Sequence, residues 1–144
     1  MKKVRAIIAG GRNITNIGLV HLAITEAVEA HDWEIIEVVS GGAQGVDRMG
    51  EALALQHRRK VKRFPADWHM YGKVAGPIRN KQMGIYADVL ILIWDGISPG
   101  SANMYETMAK LGKPIWEYLV SAEEMAEMKA EEEKLYKERR RERK

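Results

Sequence analysis

Two glycine-bearing segments carry the strongest chemical signal in this sequence. Ser40-Gly41-Gly42-Ala43-Gln44-Gly45-Val46-Asp47 has the makings of an anion cradle. Its glycines permit close backbone approach and positive φ, and a helix starting just after them would offer unpaired N–H groups and a positive dipole end. It is neither a Gly-Lys-Ser/Thr phosphate loop nor the dinucleotide fingerprint Gly-x-Gly-x-x-Gly, so a plain strand-to-helix turn competes with the anion reading. Asp47 then either caps backbone amides or accepts from ligand hydroxyls. Asp95-Gly96-Ile97-Ser98-Pro99-Gly100-Ser101 is a second turn of this kind, with Ser101 as helix N-cap or phosphate donor. Arg12, Lys73 and Arg79 are the cations placed to meet an anion there, and an arginine can grip a phosphate with two parallel hydrogen bonds. Trp68, His69, Tyr71 and Trp94 are candidates for stacking on a base, although Trp94 fits core packing better. The four histidines show no metal-ligand spacing, and no Ser-His-Asp order or nucleophile elbow is present.

These residues need elements to position them. Val4–Ala9 reads as a buried strand running into Gly10-Gly11, followed by a helix over 18–30. A strand over 35–39 leads into the first glycine segment, and helical spacing resumes over 46–56. Residues 60–64 make a weaker strand, stopped by Pro65, then a polar connection, then a helix opened by Gly76-Pro77. Asp88–Trp94 is continuously apolar after its first residue, as in a strand covered on both faces. A loop over 95–101, a helix over 102–111 ended by Gly112, and a strand over 113–120 complete the pattern. Ser121 and Glu124 are spaced as a capping box for a long, mostly solvated, charged helix whose last turns fray. Strands alternating with helices predict an α/β fold: a Rossmann-like, doubly wound, mainly parallel five-stranded sheet with helices on both faces. In such sheets ligands bind beyond the carboxyl ends of the strands, so the loops at Gly10–Arg12, Ser40–Asp47, Pro65–Trp68 and Asp95–Ser101 should converge on one rim.

Composition narrows the classes further. The chain has 144 residues, 46% hydrophobic and 30% charged, which suits one globular domain and excludes a disordered or collagen-like chain. With no cysteine, disulfides, thiolate zinc sites and thiol nucleophiles are excluded. No apolar stretch is long enough for a membrane helix, and the start of the chain does not read as a signal peptide, so a cytoplasmic protein is expected. Acidic and basic residues balance from Ser121 onward, so the net charge of +3 belongs to residues 1–120. That excess suits a phosphate-bearing ligand and is too small to argue alone for nucleic acid. The terminal basic run from Arg139 adds little to that argument.

The motifs together resemble a known family. The Ser40–Asp47 segment, Phe64-Pro65-Ala66-Asp67-Trp68, Gly76-Pro77-Ile78-Arg79-Asn80, Trp94-Asp95-Gly96 with Pro99-Gly100-Ser101, and Gly112-Lys113-Pro114 occur in that order. They resemble the YspA/YpsA-related branch of the SLOG superfamily over nearly all of residues 4–118. The superfamily includes phosphoribohydrolases that release bases from nucleoside monophosphates, the DNA-processing protein A, and sensor domains for nucleotide-derived signals. The resemblance implies a Rossmann-like fold, a nucleotide-type ligand at these loops and a homo-oligomer such as a dimer. One departure bears on chemistry. The phosphoribohydrolases use an Arg in an Arg-Lys motif and a Glu in Gly-Gly-x-Gly-Thr-x-x-Glu. Arg79 matches the Arg, with Asn80 in place of Lys. Gly100-Ser101 matches Gly-Thr, but Met104 stands where the Glu should be. Glu106, two residues on, is turned by about 200° on a helix. Methionine can neither protonate a leaving base nor support a cation-like sugar.

The reading is therefore a SLOG-like nucleotide-binding domain over 1–120 with a charged helix over 121–144. Its expected ligand is a nucleotide or nucleotide derivative. The candidate site comprises Gly10, Gly11, Arg12, Ser40, Gly41, Gly42, Gly45, Asp47, Arg79, Asn80, Asp95, Gly100 and Ser101, with no metal, no cofactor and no membrane. Two other functions stay open. One is nucleoside 5'-monophosphate phosphoribohydrolase activity, with Arg79 orienting the phosphoribose and Asp47, Asp67 or Asp95 replacing the missing Glu. The other is single-stranded DNA binding.

Overall fold

The computed structural model describes residues 1–143. The chain runs β1 (Lys2–Gly10), α1 (Ile17–His31), β2 (Trp33–Ser40), α2 (Val46–Gln56), β3 (Lys60–Arg63), α3 (Trp68–Tyr71), α4 (Ala75–Tyr86), β4 (Val89–Trp94), α5 (Pro99–Lys110), β5 (Ile115–Leu119) and α6 (Ala122–Glu142). All strand pairs are parallel, and the spatial order is β3-β2-β1-β4-β5. The first three strands are laid down in one direction from β1, after which the chain crosses back to place β4 on its other side. The sheet thus reverses its winding between β1 and β4, where a crevice must open at the strands' carboxyl ends.

The period-two alternation of the two central strands divides the core. Val4, Ala6 and Ile8 of β1, with Val89, Ile91 and Ile93 of β4, pack against α1, α2 and the start of α6. Ile7 and Ala9, with Leu90, Leu92 and Trp94, pack against Met83 of α4 and Met104 and Met108 of α5. Every residue of β4 is buried, which is why its sequence shows no polar alternation. Gly10 is demanded by the crossing itself. A Cβ there would lie 1.8 Å from the Ile93 carbonyl oxygen, the same oxygen that accepts from Gly11 N–H at 3.1 Å. No helix among the described residues is long and apolar enough to cross a membrane.

The fold class expected from the sequence is the one observed, with three local differences. The connection after Pro65 is partly helical: Asp67 caps α3 by accepting from Met70 N–H at 3.0 Å, and a single 3-10 turn over Gly72–Val74 joins it to α4. Helix α5 begins at Pro99 rather than at residue 102. Ser98 is its N-cap residue and proline takes the first helical position, where a missing N–H costs nothing. Ser101 is therefore inside the first turn and is not the cap. Helix α6 has the expected capping box, with Ser121 Oγ accepting from Glu124 N–H and the Glu124 carboxylate accepting from Ser121 N–H, both at 3.0 Å. It is helical to Glu142 and mostly exposed, as expected, but one face of its first turns is packed. Met128 joins the core of the α1–α2 face and its sulfur accepts from Thr15 N–H at 3.4 Å, while positions 129–143 are exposed.

Candidate functional site

At the reversal between β1 and β4 lies a cavity of about 360 Å³. Its floor is Ala9, Gly10 and Gly11. One wall is Arg12, Asn13 and Ile14 from the loop after β1, and another is Ala43 with Asp47 at the start of α2. Arg79, Asn80 and Met83 of α4 face these, the Asp95 loop and the first turn of α5 close the opposite side, and Met125 of α6 reaches in. The α5 terminus is bare. Ser98 makes no side-chain cap bond and Pro99 has no N–H, so the N–H groups of Gly100 and Ser101 are the first-turn donors left without an intrahelical acceptor. Nothing would obstruct a group approaching Gly100 from outside the helix.

Arg79 is fixed on two sides. Its Nη1 donates to the Gly41 carbonyl at 2.8 Å and its Nε donates to Asn80 Oδ1 at 3.0 Å. Gly41 is required for this contact, since a Cβ there would meet Nη1 at 2.4 Å. Asn80 is buried and fully engaged. Its Nδ2 donates to the Gly100 carbonyl at 3.3 Å and to Asn103 Oδ1 at 3.0 Å, which ties the arginine to the start of α5. Burial lowers the Arg79 pKa, opposed by the Asp47 charge and reinforced by that of Arg12.

Asp47 is 5% exposed and accepts from Ala43 N–H at 3.2 Å. Burial pushes its carboxyl up to about 6, against the pull of that hydrogen bond and of the Arg79 charge. Asp95 is the opposite case. Its Oδ1 accepts from Ile97 N–H, Ser98 N–H and Ser98 Oγ at 2.9–3.0 Å, and those bonds hold its pKa below the usual range while fixing the loop before α5.

A second cavity of about 410 Å³ adjoins the first. It is lined by Gly41, Gly42, Gln44, Arg48, Arg63, Pro65, Ala66 and Trp68, and it shares Arg12, Ala43 and Arg79 with its neighbour. The four loops thus meet as two adjoining chambers. The loop after β4 serves the first, the one after β3 serves the second, and the loop after β1, through Arg12, and the Ser40–Asp47 loop serve both.

Of the residues expected from sequence, Gly10, Gly11, Arg12, Asp47, Arg79, Asn80, Asp95, Gly100 and Ser101 line the first cavity, and Gly41 and Gly42 line the second. Ser40 and Gly45 line neither. Ser40 is fully buried, with Oγ donating to Glu51 Oε2 at 2.6 Å and accepting from Gly42 N–H at 3.0 Å. Glu51 in turn holds Arg63, whose Nε donates to it at 2.9 Å. Gly45, at φ +87°, lets the loop settle on Gly11, whose carbonyl a Cβ would meet at 2.3 Å. Lys73, His69 and Tyr71 line neither cavity, and Trp94 packs in the core with Nε1 donating to Glu117 at 2.8 Å. Met104 is buried and does line the first cavity, whereas Glu106 is exposed and does not. Asn13, Ile14, Met83, Ser98, Pro99, Met125, Arg48 and Arg63 are additional wall residues. Ser98 and Arg48 had a local signal, each next to a residue already singled out; Met125 had none. Among the described residues, no three His, Asp or Glu side chains are grouped to hold a metal ion.

Comparison with known proteins bears out the resemblance. Residues 4–71 match the model of the YspA, cpYpsA-related SLOG family. The match spans β1 to α3, so Arg79 and the α5 terminus lie beyond it. The chain is also similar to the Gene 61 protein of Mycobacterium phage D29, at 29% identity over 117 residues, covering 77% of this chain and 93% of that protein. No solved structure matches.

Proposed function

We propose that this chain, a SLOG-family sequence of the YspA, cpYpsA-related branch, binds a nucleotide or nucleotide-derived ligand in the first cavity. Nucleotide-related binding or processing is what the family suggests; the ligand's position is the finer reading. It rests on one observation: Arg79, tied through Asn80 to the uncapped start of α5, lines the same cavity as Gly100 and Ser101, whose N–H groups have no intrahelical acceptor. A phosphate there would gain charge-assisted hydrogen bonds and the helix dipole together. Arg12, an exposed residue of the cavity wall, adds a second cation. The Gly10-Gly11 floor admits a sugar close to the backbone, and Asp47 or the outer oxygen of Asp95 can accept from its hydroxyls.

Thermal shift against a panel of nucleoside mono- and diphosphates tests this. A ligand bound only by the native state raises Tm with concentration, by about 2.7 kcal/mol of stability at a hundredfold excess over Kd. Arg79→Ala should abolish that rise. A flat response to the whole panel would refute the reading.

Cleavage of the N-glycosidic bond is the second reading, and Asp47 favours it. A buried carboxyl with a pKa near 6, in the cavity wall, can be protonated close to neutral pH and donate to a leaving base. Met104 in the acid's place weighs against it. Chromatography of the stabilising mixture separates the two: intact nucleotide means binding, and free base with ribose 5-phosphate means hydrolysis.

A further inference from the structure

The second cavity differs from the first in charge. Arg12, Arg48, Arg63 and Arg79 all line it and none of its lining residues is acidic, whereas the first cavity sets Asp47 and Asp95 against Arg12 and Arg79. Arg63 is held by Glu51 from behind, and Arg48 is held by Nε donating to the Gly42 carbonyl at 3.2 Å. Trp68 forms part of the wall yet is 53% exposed, an indole in a cavity that four arginines also line. Its far edge points toward α4 at Gly76, where a Cβ, had the residue one, would lie 3.4 Å from the ring.

Size adds a constraint. Each chamber is at the small end for a ligand site, room for about one nucleotide. Arg79 bonds to Gly41 on one side and Asn80 on the other, and so stands on the boundary between the two.

We infer that the two chambers together take a phosphate-bridged dinucleotide, its bridging phosphate held between Arg12 and Arg79 and its second base stacked on Trp68 with Arg48 alongside. This rests on the nucleotide reading of the first cavity and extends it to the substrate class. An aromatic face with flanking arginines suits a nucleobase carried on a phosphodiester, since stacking tolerates any base and arginine adds cation–π attraction. A bare phosphate or a mononucleotide would leave the indole without a partner.

The test compares Kd values for 5'-phosphorylated dinucleotides of each base, the matching mononucleotides and the matching octanucleotides, by calorimetry at fixed salt. The dinucleotide should bind about tenfold tighter than the mononucleotide. Trp68→Ala, at an exposed position, should erase that advantage and leave the mononucleotide Kd unchanged, while Trp68→Phe should keep most of it. Equal affinity for mono- and dinucleotide overturns the inference and leaves the proposed function standing. No binding of any of them overturns both. Affinity that keeps rising to the octanucleotide, with a steep salt dependence, identifies a nucleic-acid strand as the ligand and overturns the small-molecule assignment.

Discussion

Replacing Asp47 by asparagine should stabilise the protein at neutral pH, and the size of the gain follows from its burial. The carboxyl has a pKa of about 6 in the folded chain against 3.8 for the free group. An acid whose folded pKa is raised is held more tightly as its protonated form by the native state. Between pH 3.8 and about 6 the unfolded chain has released this proton and the folded chain has kept it, so stability falls as pH rises through that window and stays lower above it. Two units or so, at 1.36 kcal/mol each, amount to roughly 3 kcal/mol. Asparagine copies the protonated shape: its Oδ1 can still accept from Ala43 N–H, and it has no charge to bury. Urea unfolding of both proteins at intervals from pH 4 to 7.5 isolates the effect, because every other titrating group is common to the two. The variant should match the wild type near pH 4 and exceed it by up to about 3 kcal/mol at pH 7.5. Parallel curves, or a variant less stable at pH 7.5, would refute the reasoning. Asp47 would then be an ionised counter-ion to Arg79 rather than a carboxyl strained by burial.

Other expectations follow from the same geometry. Ligand phosphate beside Arg79 raises the cost of the Asp47 charge, so a dinucleoside phosphodiester, which has no phosphate proton near pH 6, should bind more tightly as pH falls through 6, and Asp47→Asn should flatten that profile in calorimetric titrations. Gly10→Ala drives a methyl into the Ile93 carbonyl, a collision with backbone that no rotamer relieves, and should cost on the order of 4 kcal/mol or more, read as lost soluble yield or a collapsed urea midpoint. Ser121→Ala removes half of the capping box and should cost about 1 kcal/mol, with helical circular dichroism lost earlier in a melt as Met125 and Met128 come away.

The sequence reached far where local rules decide. Helix α2 is observed over the expected 46–56, the all-apolar run after Asp88 is a doubly covered strand, and Ser121 with Glu124 is the capping box their spacing implies. Short or distant features were not legible. Helix α3 has four residues, too few for any periodicity, and is held by the single Asp67 cap. Spacing puts the start of α5 at residue 102, three residues late, because Pro99 looks like loop when it is the first helical residue. Met125 and Met128 sit in a segment rich in Glu, Lys and Arg, and only the fold brings them back to the cavity and to Thr15. The division of the rim into two chambers runs along Arg12, Ala43 and Arg79, and no spacing rule gives the directions of the two arginine side chains.

The placement of β4 beside β1 has a consequence for how the chain is made. β2 joins β1, and β3 joins β2, each through a single short crossover, so that half of the sheet can form as soon as it is synthesised. The seam with β4 must wait: Asp88, which accepts from Arg5 N–H at the start of that seam, is 83 positions further on. Until then the central strand has one open hydrogen-bonding edge flanked by Ile7 and Ile8, the kind of surface that recruits other chains. Fragments that stop after α3 are therefore expected to aggregate although they contain the whole family-matching region. Gly10 is tested against Ile93 only when the last half of the sheet arrives, which makes the first cavity among the last parts of the molecule to take shape.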